Sequence, residues 1–336
     1  MKFGYRKMER NKKTRMRSLA WTAALLLAVP ALPQGQQRTS QEPTIKAEVN
    51  LVNLFATVRD KNKRIVTDMK QDDFKVFEDG HEEKISFFSK EMQLPITLGL
   101  LLDTSGSEMY MLGSIQDSGD RFLRRVLKKG DEAMIISFDT DVDLLADFTD
   151  DLSILKRAIN KARINTPGGG YIAGNPGPVP NGNSVGTALY DAIYLACGDK
   201  LNGEAGRKAI VIVTDAEDTG SKTRLEEAIE AAQRTDTVIH VLFVADRANF
   251  GGGRPDVAHK LTDETGGRMI VVNSEKKLEE AFDQISEELR SQYTLGYYPT
   301  NNAKDGKFRK IRVDADNKDY KVLARRGYYA PRGSKG

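Results

Sequence analysis

The segment LGLLLDTSGSEMYM, which runs from Leu98 to Met111, decides how the rest of the chain is interpreted. A continuous run of apolar and glycine residues leads into Asp103, and such a run predicts a strand buried on both faces of a sheet. Ser105 and Ser107 follow the aspartate at intervals of two residues. Three oxygen-bearing side chains therefore crowd into the turn at the carboxyl end of a buried strand.

The sequence around this segment alternates between strand and helix patterns from 93 to 292. The runs KAIVIVTD and TVIHVLFVAD predict two further buried strands, and the amphipathic segment SKTRLEEAIEAAQRT between them predicts a helix. Alternation of this kind is typical of an α/β fold with a doubly wound, mostly parallel sheet.

Both ends of this region are β-rich. Residues 44–92 and 293–331 contain short segments with alternating apolar positions and turn pairs such as Asp79-Gly80. We expect a small β domain before the α/β domain and a β segment after it. Two arrangements remain open at this point: the flanks pair into one β-sandwich with the α/β domain inserted between them, or the tail packs on the α/β domain.

The first residues resemble an export signal. Residues 1–17 carry eight Lys and Arg against one acid, and a short apolar run interrupted by Pro30 follows. We predict a signal peptide over 1–31, with an uncleaved N-terminal anchor as the alternative, and a polar linker over 32–43. Either interpretation places the protein in the periplasm, outside the cell or on its surface. Contact with a membrane is expected only through an uncleaved N-terminal segment.

The leader also explains the basic balance of the chain. The net charge is +3, residues 1–17 contribute 8 − 1 = +7, and the remainder therefore carries 3 − 7 = −4. We expect no nucleic-acid partner, since the basic charge belongs to the leader. Cys197 is the only cysteine, so an intramolecular disulfide is excluded.

Two more oxygen-bearing side chains are expected at the same sheet edge. Asp215 ends the strand KAIVIVTD, and Thr187 lies where a Gly-rich loop meets a helix. Ligands of doubly wound sheets bind outside the carboxyl ends of the strands. Carboxylate and hydroxyl oxygens suit a hard divalent cation, and we predict Mg²⁺, with Mn²⁺ or Ca²⁺ as alternatives.

The pattern D-x-S-x-S…T…D resembles the metal-ion-dependent adhesion site of the von Willebrand factor type A domain. Residues 44–331 as a whole are similar to bacterial exported proteins of the same type. The resemblance implies a Rossmann-like fold in which Ser105, Ser107 and Thr187 contact the metal directly, whereas Asp103 and Asp215 act directly or through water. Because the predicted ligand set consists of oxygen atoms alone, we predict a non-enzymatic adhesion or assembly module, in which an Asp or Glu of a protein partner completes the coordination of the metal.

The chain departs from this pattern in three places. Many members of the family have Met where this chain has Glu108, and Gly where it has Ala216. Glu108 either intrudes on the metal or faces solvent as an acid at a helix N-terminus. The loop over 165–186 is longer than usual and either shapes the binding face or hangs over it.

Other functions remain as alternatives. A metal-assisted hydrolase needs a general base, for which Glu108 and Asp218 are the nearby candidates, and a scaffold with a degenerate site needs no metal.

Asp139 begins a D-x-D-x-D run, but the run lacks the glycine and the glutamate of a calcium loop, so we expect a solvated hairpin. The tyrosine clusters near 293–298 and 328–329 are expected to pack between sheets.

Overall fold

A computed structural model describes residues 51–90, 94–164, 186–245 and 252–333. The predicted signal peptide and linker, and the 165–186 loop up to residue 185, lie outside the described residues. Within the described ranges, no helix combines the length and the apolar character needed to cross a membrane.

The described residues form fourteen strands and six α-helices. The strands are β1 (Val52–Arg59), β2 (Phe74–Glu78), β3 (His81–Glu83), β4 (Ile85–Ser89), β5 (Ile96–Asp103), β6 (Glu132–Phe138), β7 (Val142–Thr149), β8 (Arg207–Thr214), β9 (Thr237–Val244), β10 (Met269–Val272), β11 (Tyr293–Tyr297), β12 (Phe308–Ala315), β13 (Lys321–Leu323) and β14 (Gly327–Tyr329). The helices are α1 (Leu112–Val126), α2 (Leu152–Ile159), α3 (Leu189–Leu195), α4 (Leu225–Arg234), α5 (Pro255–Thr265) and α6 (Glu275–Arg290).

The central sheet has six strands in the order β10-β9-β8-β5-β6-β7. Its neighbours are parallel except for β6 and β7, which form an antiparallel hairpin. From β5 the chain moves to one side through β6 and β7, and it then returns to the other side of β5 as β8. The predicted doubly wound, mostly parallel sheet is confirmed, and its strand order switches between β5 and β8.

Apolar side chains cover both faces of this sheet. Leu98, Leu100 and Leu102 of β5 pack into a core formed with α1, α2 and α6. Leu101 points to the opposite face and packs into a second core formed with α3, α4 and α5. All eight residues of β5 are buried, as its uninterrupted apolar sequence predicts.

The β-rich flanks combine in two four-stranded sheets, β13-β1-β11-β4 and β14-β12-β2-β3. Each sheet takes two strands from the N-terminal flank and two from the C-terminal flank. The sheets share one core, which includes Leu54 and Tyr293 from the first sheet and Val76 and Tyr328 from the second. The flanks therefore form one β-sandwich with the α/β domain inserted between β4 and β11, and the tyrosines serve mainly as core residues. The exact domain boundaries remain predictions.

A buried ionic cluster joins the sandwich to the inserted domain. Glu288 of α6 is 1% exposed and forms ion pairs with Arg59 of β1 and with Arg268, at 2.6 Å for the second pair. Because breaking a buried pair leaves an uncompensated charge, this cluster fixes α6 against β1.

Candidate metal site

The two predicted aspartates lie at adjacent strand ends on either side of the switch in strand order. Asp103 is the last residue of β5, and Asp215 directly follows β8, which pairs with β5 in parallel register. Asp103 is 0% exposed and Asp215 is 8% exposed. The sheet therefore brings together side chains that are 112 residues apart by their numbers (215 − 103).

Hydrogen bonds fix the loop after β5 around the Asp103 carboxylate. The Ser105 backbone N–H donates to Asp103 Oδ1 at 2.9 Å, and the Thr214 hydroxyl donates to Asp103 Oδ2 at 2.6 Å. The hydroxyl oxygens of Ser105 and Ser107 lie 3.0 Å apart. Two hydroxyls and one carboxylate thus share one small turn, as the D-x-S-x-S spacing predicts.

Thr187 is placed by the loops on either side of β5. Its carbonyl accepts from the backbone N–H groups of Thr219 and Gly220, both at 3.1 Å, and its own N–H donates to the Thr219 hydroxyl at 3.1 Å. The next residue, Ala188, donates its N–H to the Asp139 carbonyl just beyond β6. Thr187, which is 7% exposed, is thereby held between the loop after Asp215 and the end of β6. Its role as a ligand stays a prediction.

Glu108 lies beside the two predicted aspartates, so of its two interpretations the one in which it faces solvent is excluded. Its side chain is buried, with 0% exposure. Three carboxylate oxygens, one from each of Glu108, Asp103 and Asp215, all lie within 4.8 Å of one another. Sequence alone does not decide between the two interpretations of Glu108, because an acid at the N-terminus of a helix is also favourable when it is exposed to water. The candidate site accordingly has three carboxylates, one more than the predicted set.

The electrostatics of this cluster favour a cation. Burial, the largest cause, raises the pKa of Asp103 to about 7; the hydrogen bonds from Ser105 and Thr214 lower the pKa, and the nearby Asp215 carboxylate raises it further. Within the described residues, neither Asp103 nor Asp215 forms an ion pair with Lys or Arg. Buried carboxylates that lack a cationic partner are costly, and a bound divalent ion offsets that cost.

Two features of the backbone lie next to Asp215. Ala216 adopts φ of +60°, a conformation that glycine favours. Gly253 adopts φ of +90°, and a Cβ atom there would lie 2.7 Å from the Asp215 carbonyl oxygen. The next residue, Arg254, donates its N–H to the same carbonyl at 2.8 Å. Gly253 and Arg254 therefore support the backbone of Asp215.

The other acidic candidates have structural roles. The Asp218 carboxylate accepts from the Tyr190 N–H at 3.0 Å and from the Ser221 hydroxyl at 2.5 Å, so it caps the start of α3. The Asp139 carboxylate, in the turn of the β6–β7 hairpin, accepts a hydrogen bond of 3.0 Å from the hydroxyl of Thr104, which follows β5. Among the described residues, the one group of three or more acidic, His or Cys side chains with converging ligand atoms is the Asp103, Glu108 and Asp215 cluster.

Comparisons with known proteins find similarity to solved structures alone. No protein-family model matches the chain, and no curated protein matches it. Similar solved structures include proximal thread matrix protein 1 from the mussel byssus, at 13% identity over 68% of this chain and 50% of that chain, with a TM-score of 0.48. Another is a von Willebrand factor type A protein from Catenulispora acidiphila, at 10% identity over 86% and 76%, with a TM-score of 0.48. A third is the conserved hypothetical protein BatB from Bacteroides thetaiotaomicron, at 19% identity over 58% and 100%, with a TM-score of 0.44.

These similarities concern the fold. This chain spans about half the length of the mussel protein, one structure of which has zinc in its metal-ion-dependent adhesion site motif. The chain's own topology and motif define its class: an α/β protein with a candidate cation site where the strand order of its sheet switches. In both its motif and its sheet topology, the chain resembles the von Willebrand factor type A domain.

Proposed function

We propose that this protein is an exported adhesion or assembly module that holds a divalent cation and binds a carboxylate of a protein partner through it. One observation carries the proposal. Asp103, Glu108 and Asp215 are buried together beside the hydroxyls of Ser105 and Ser107, and neither aspartate has a cationic partner among the described residues. An all-oxygen set of this kind suits a hard cation.

The residues that would hold the cation are Asp103, Ser105, Ser107, Thr187 and Asp215. We favour Mg²⁺, which uses few carboxylates and keeps several waters, with Mn²⁺ or Ca²⁺ as alternatives. When bound, such an ion supplies an electrophilic point that attracts an anionic oxygen. An Asp or Glu of a protein partner offers that oxygen.

No observation in the described part of the chain favours the metal-assisted hydrolase over this proposal. Of its two candidate bases, Asp218 is engaged in capping α3, and Glu108 lies inside the carboxylate cluster. A general base has to reach the proton that it removes. We therefore propose binding without catalysis.

Calorimetric titration of the chelator-treated protein with Mg²⁺, Mn²⁺ and Ca²⁺ tests the cation site. We expect one site per chain and its loss in Asp103→Ala. Asp141→Asn is the matched control, because Asp141 is an exposed acid in the neighbouring β6–β7 turn. Binding that persists in Asp103→Ala contradicts the proposed site, and no binding by the wild type favours the degenerate scaffold.

The partner is tested with the same variants. The exported fraction of cells is passed over immobilised wild type, Asp103→Ala and Asp141→Asn, with and without chelator. We expect a partner retained by wild type and Asp141→Asn that is lost with chelator or in Asp103→Ala. Equal retention under all conditions contradicts capture through the metal.

A further inference from the structure

We infer that Glu108 is an internal ligand of the cation and takes the position that a partner carboxylate has to occupy. The inference rests on the proposed function, and it deepens that function by adding a competitor within the chain. Binding of a partner then requires displacement of the Glu108 carboxylate.

The position of Glu108 supports direct or near-direct contact with the ion. Its ligand oxygen and those of Asp103 and Asp215 lie within 4.8 Å of one another. Oxygens on opposite sides of one Mg²⁺ are about 4.2 Å apart, and those on opposite sides of one Ca²⁺ are about 5 Å apart. The three oxygens are therefore close enough together to fit within the width of a Ca²⁺ shell.

The local backbone holds Glu108 in this place. It ends a short 3-10 turn, Gly106–Glu108, that begins immediately after Ser105. The Glu108 N–H donates to the Ser105 carbonyl at 3.1 Å, and the Glu108 carbonyl accepts from the Met111 N–H at 2.9 Å. The two neighbours Met109 and Tyr110 are 49% and 81% exposed, whereas Glu108 is 0% exposed. The turn thus directs the acid inwards and leaves the apolar side chains outside.

A third carboxylate changes what the ion does. Two carboxylates neutralise a divalent cation, and a third gives the assembled site a net charge of about −1. Such a site attracts an external carboxylate less strongly until Glu108 moves away. Removal of the Glu108 carboxylate should therefore weaken cation binding and also open a position to water or to another anion.

Water-proton relaxation with Mn²⁺ as the probe measures both effects on the full chain. The relaxivity per bound Mn²⁺ reports its exchangeable waters, and a titration gives the Mn²⁺ affinity. We compare wild type with Glu108→Met, which keeps the volume and removes the ligand, and with Glu108→Gln, which is isosteric and neutral. We expect Mn²⁺ affinity to fall about tenfold in both, as loss of one charged ligand implies, and one additional water in Glu108→Met.

Controls separate this inference from the proposed function. Glu204→Gln alters an exposed glutamate and should match wild type in both readouts. If wild type binds Mn²⁺ and Glu108→Met, still folded by circular dichroism, equals it in affinity and relaxivity, the inference is overturned and the cation site stands. If wild type binds no Mn²⁺, both are overturned. If Glu108→Met fails to fold, the Mn²⁺ affinity of Glu108→Gln is used instead: a fall supports the inference, and an affinity equal to that of wild type overturns it.

Discussion

At Ala216, directly after Asp215, the backbone lies in the left-handed region with φ of +60°, although the residue carries a Cβ atom. This conformation costs about 1–2 kcal/mol for an alanine, whereas glycine adopts it freely. Ala216→Gly loses a buried methyl group worth about 0.8 kcal/mol but relieves that strain. We expect the free energy of unfolding, measured in urea, to change by less than about 0.5 kcal/mol.

Ala192→Gly is the matched control for this substitution. Ala192 is also 0% exposed, but it lies within α3, where glycine is unfavourable. We expect a loss of about 1–2 kcal/mol there, from the methyl group and the helix propensity together. Equal losses in the two variants would show that Ala216 stores no strain beside the site.

Gly253 acts on the candidate site through the backbone of Asp215. A methyl group there would meet the Asp215 carbonyl oxygen at 2.7 Å and the Phe243 ring at 2.9 Å, and φ is +90°. Gly253→Ala should therefore displace Asp215, lower stability by about 1–3 kcal/mol and weaken Mn²⁺ binding. Urea unfolding and Mn²⁺ titration measure the two effects.

Gly113→Ala serves as the control, because nothing lies within 4 Å of a Cβ atom at that position in α1. It should leave Mn²⁺ binding unchanged and should not destabilise the protein. Unaltered Mn²⁺ affinity in Gly253→Ala would mean that the close approach of Gly253 does not position Asp215.

Among the elements, the strands and helices of the α/β domain could be predicted from sequence, but the contacts between them could not. The apolar run ending at Asp103 has the length and continuity of a buried strand, and β5 is buried throughout. Asp103, Ser105, Ser107 and Asp215 could be selected because they follow buried strands, whereas Thr187 could be selected because it lies where a Gly-rich loop meets a helix. The burial of Glu108 could not be predicted, since it depends on the direction of one 3-10 turn. Gly253 escaped notice because its importance lies in a close approach to another loop.

A second property that appears only when elements pack is the environment of His240 on β9. Its ring is 1% exposed and lies 3.8 Å from a Glu288 oxygen on α6, with Arg268 and Arg59 nearby. Burial, the largest cause, lowers the pKa of His240 from 6.5 to about 4, although Glu288 acts to raise it. The histidine is therefore neutral in the folded protein at pH values where it is already charged in the unfolded chain.

The contribution of His240 to stability should consequently fall as pH decreases from about 6.5 to about 4, because only the unfolded chain binds the His240 proton in that window. The raised pKa of Asp103 acts in the opposite direction over the same range, so the His240 contribution has to be read from a comparison of variants. At about 1.4 kcal/mol per pH unit, the contribution of His240 reaches about 3 kcal/mol. Urea unfolding at several pH values should show that wild type loses about 3 kcal/mol relative to His240→Phe between pH 6.5 and pH 4. His259→Gln, which removes an exposed histidine from α5, should keep the wild-type dependence. Parallel curves for His240→Phe and wild type would contradict this assignment.

For the whole molecule, the insertion of the α/β domain occurs at one point of the sandwich. Strands β4 and β11 pair antiparallel, and Ser89 lies opposite Thr294. The chain thus leaves the sandwich and returns to it at neighbouring positions, as at the tip of a hairpin. Besides the Glu288 cluster, the contacts between the sandwich and the insert include Tyr329 of β14 beneath Arg234 and the ion pairs of Arg325 with Asp236 and of Arg326 with Asp263.

The sandwich should therefore fold without its insert. Replacing 91–292 by Asn-Gly joins Lys90 to Tyr293 through a two-residue turn, which suits an antiparallel pair in this register. All eight strands of the two sheets and their shared core remain, and Arg59 becomes exposed to water rather than buried without its partner. We expect dispersed amide resonances and a cooperative thermal transition. The control is a chain that ends at Arg290, which keeps the insert but loses β11 to β14 and therefore half of each sheet. In hydrogen exchange, the amides of its remaining sandwich strands should not be protected. If the joined sandwich is unfolded, the two flanks depend on the α/β domain and the molecule is one cooperative unit.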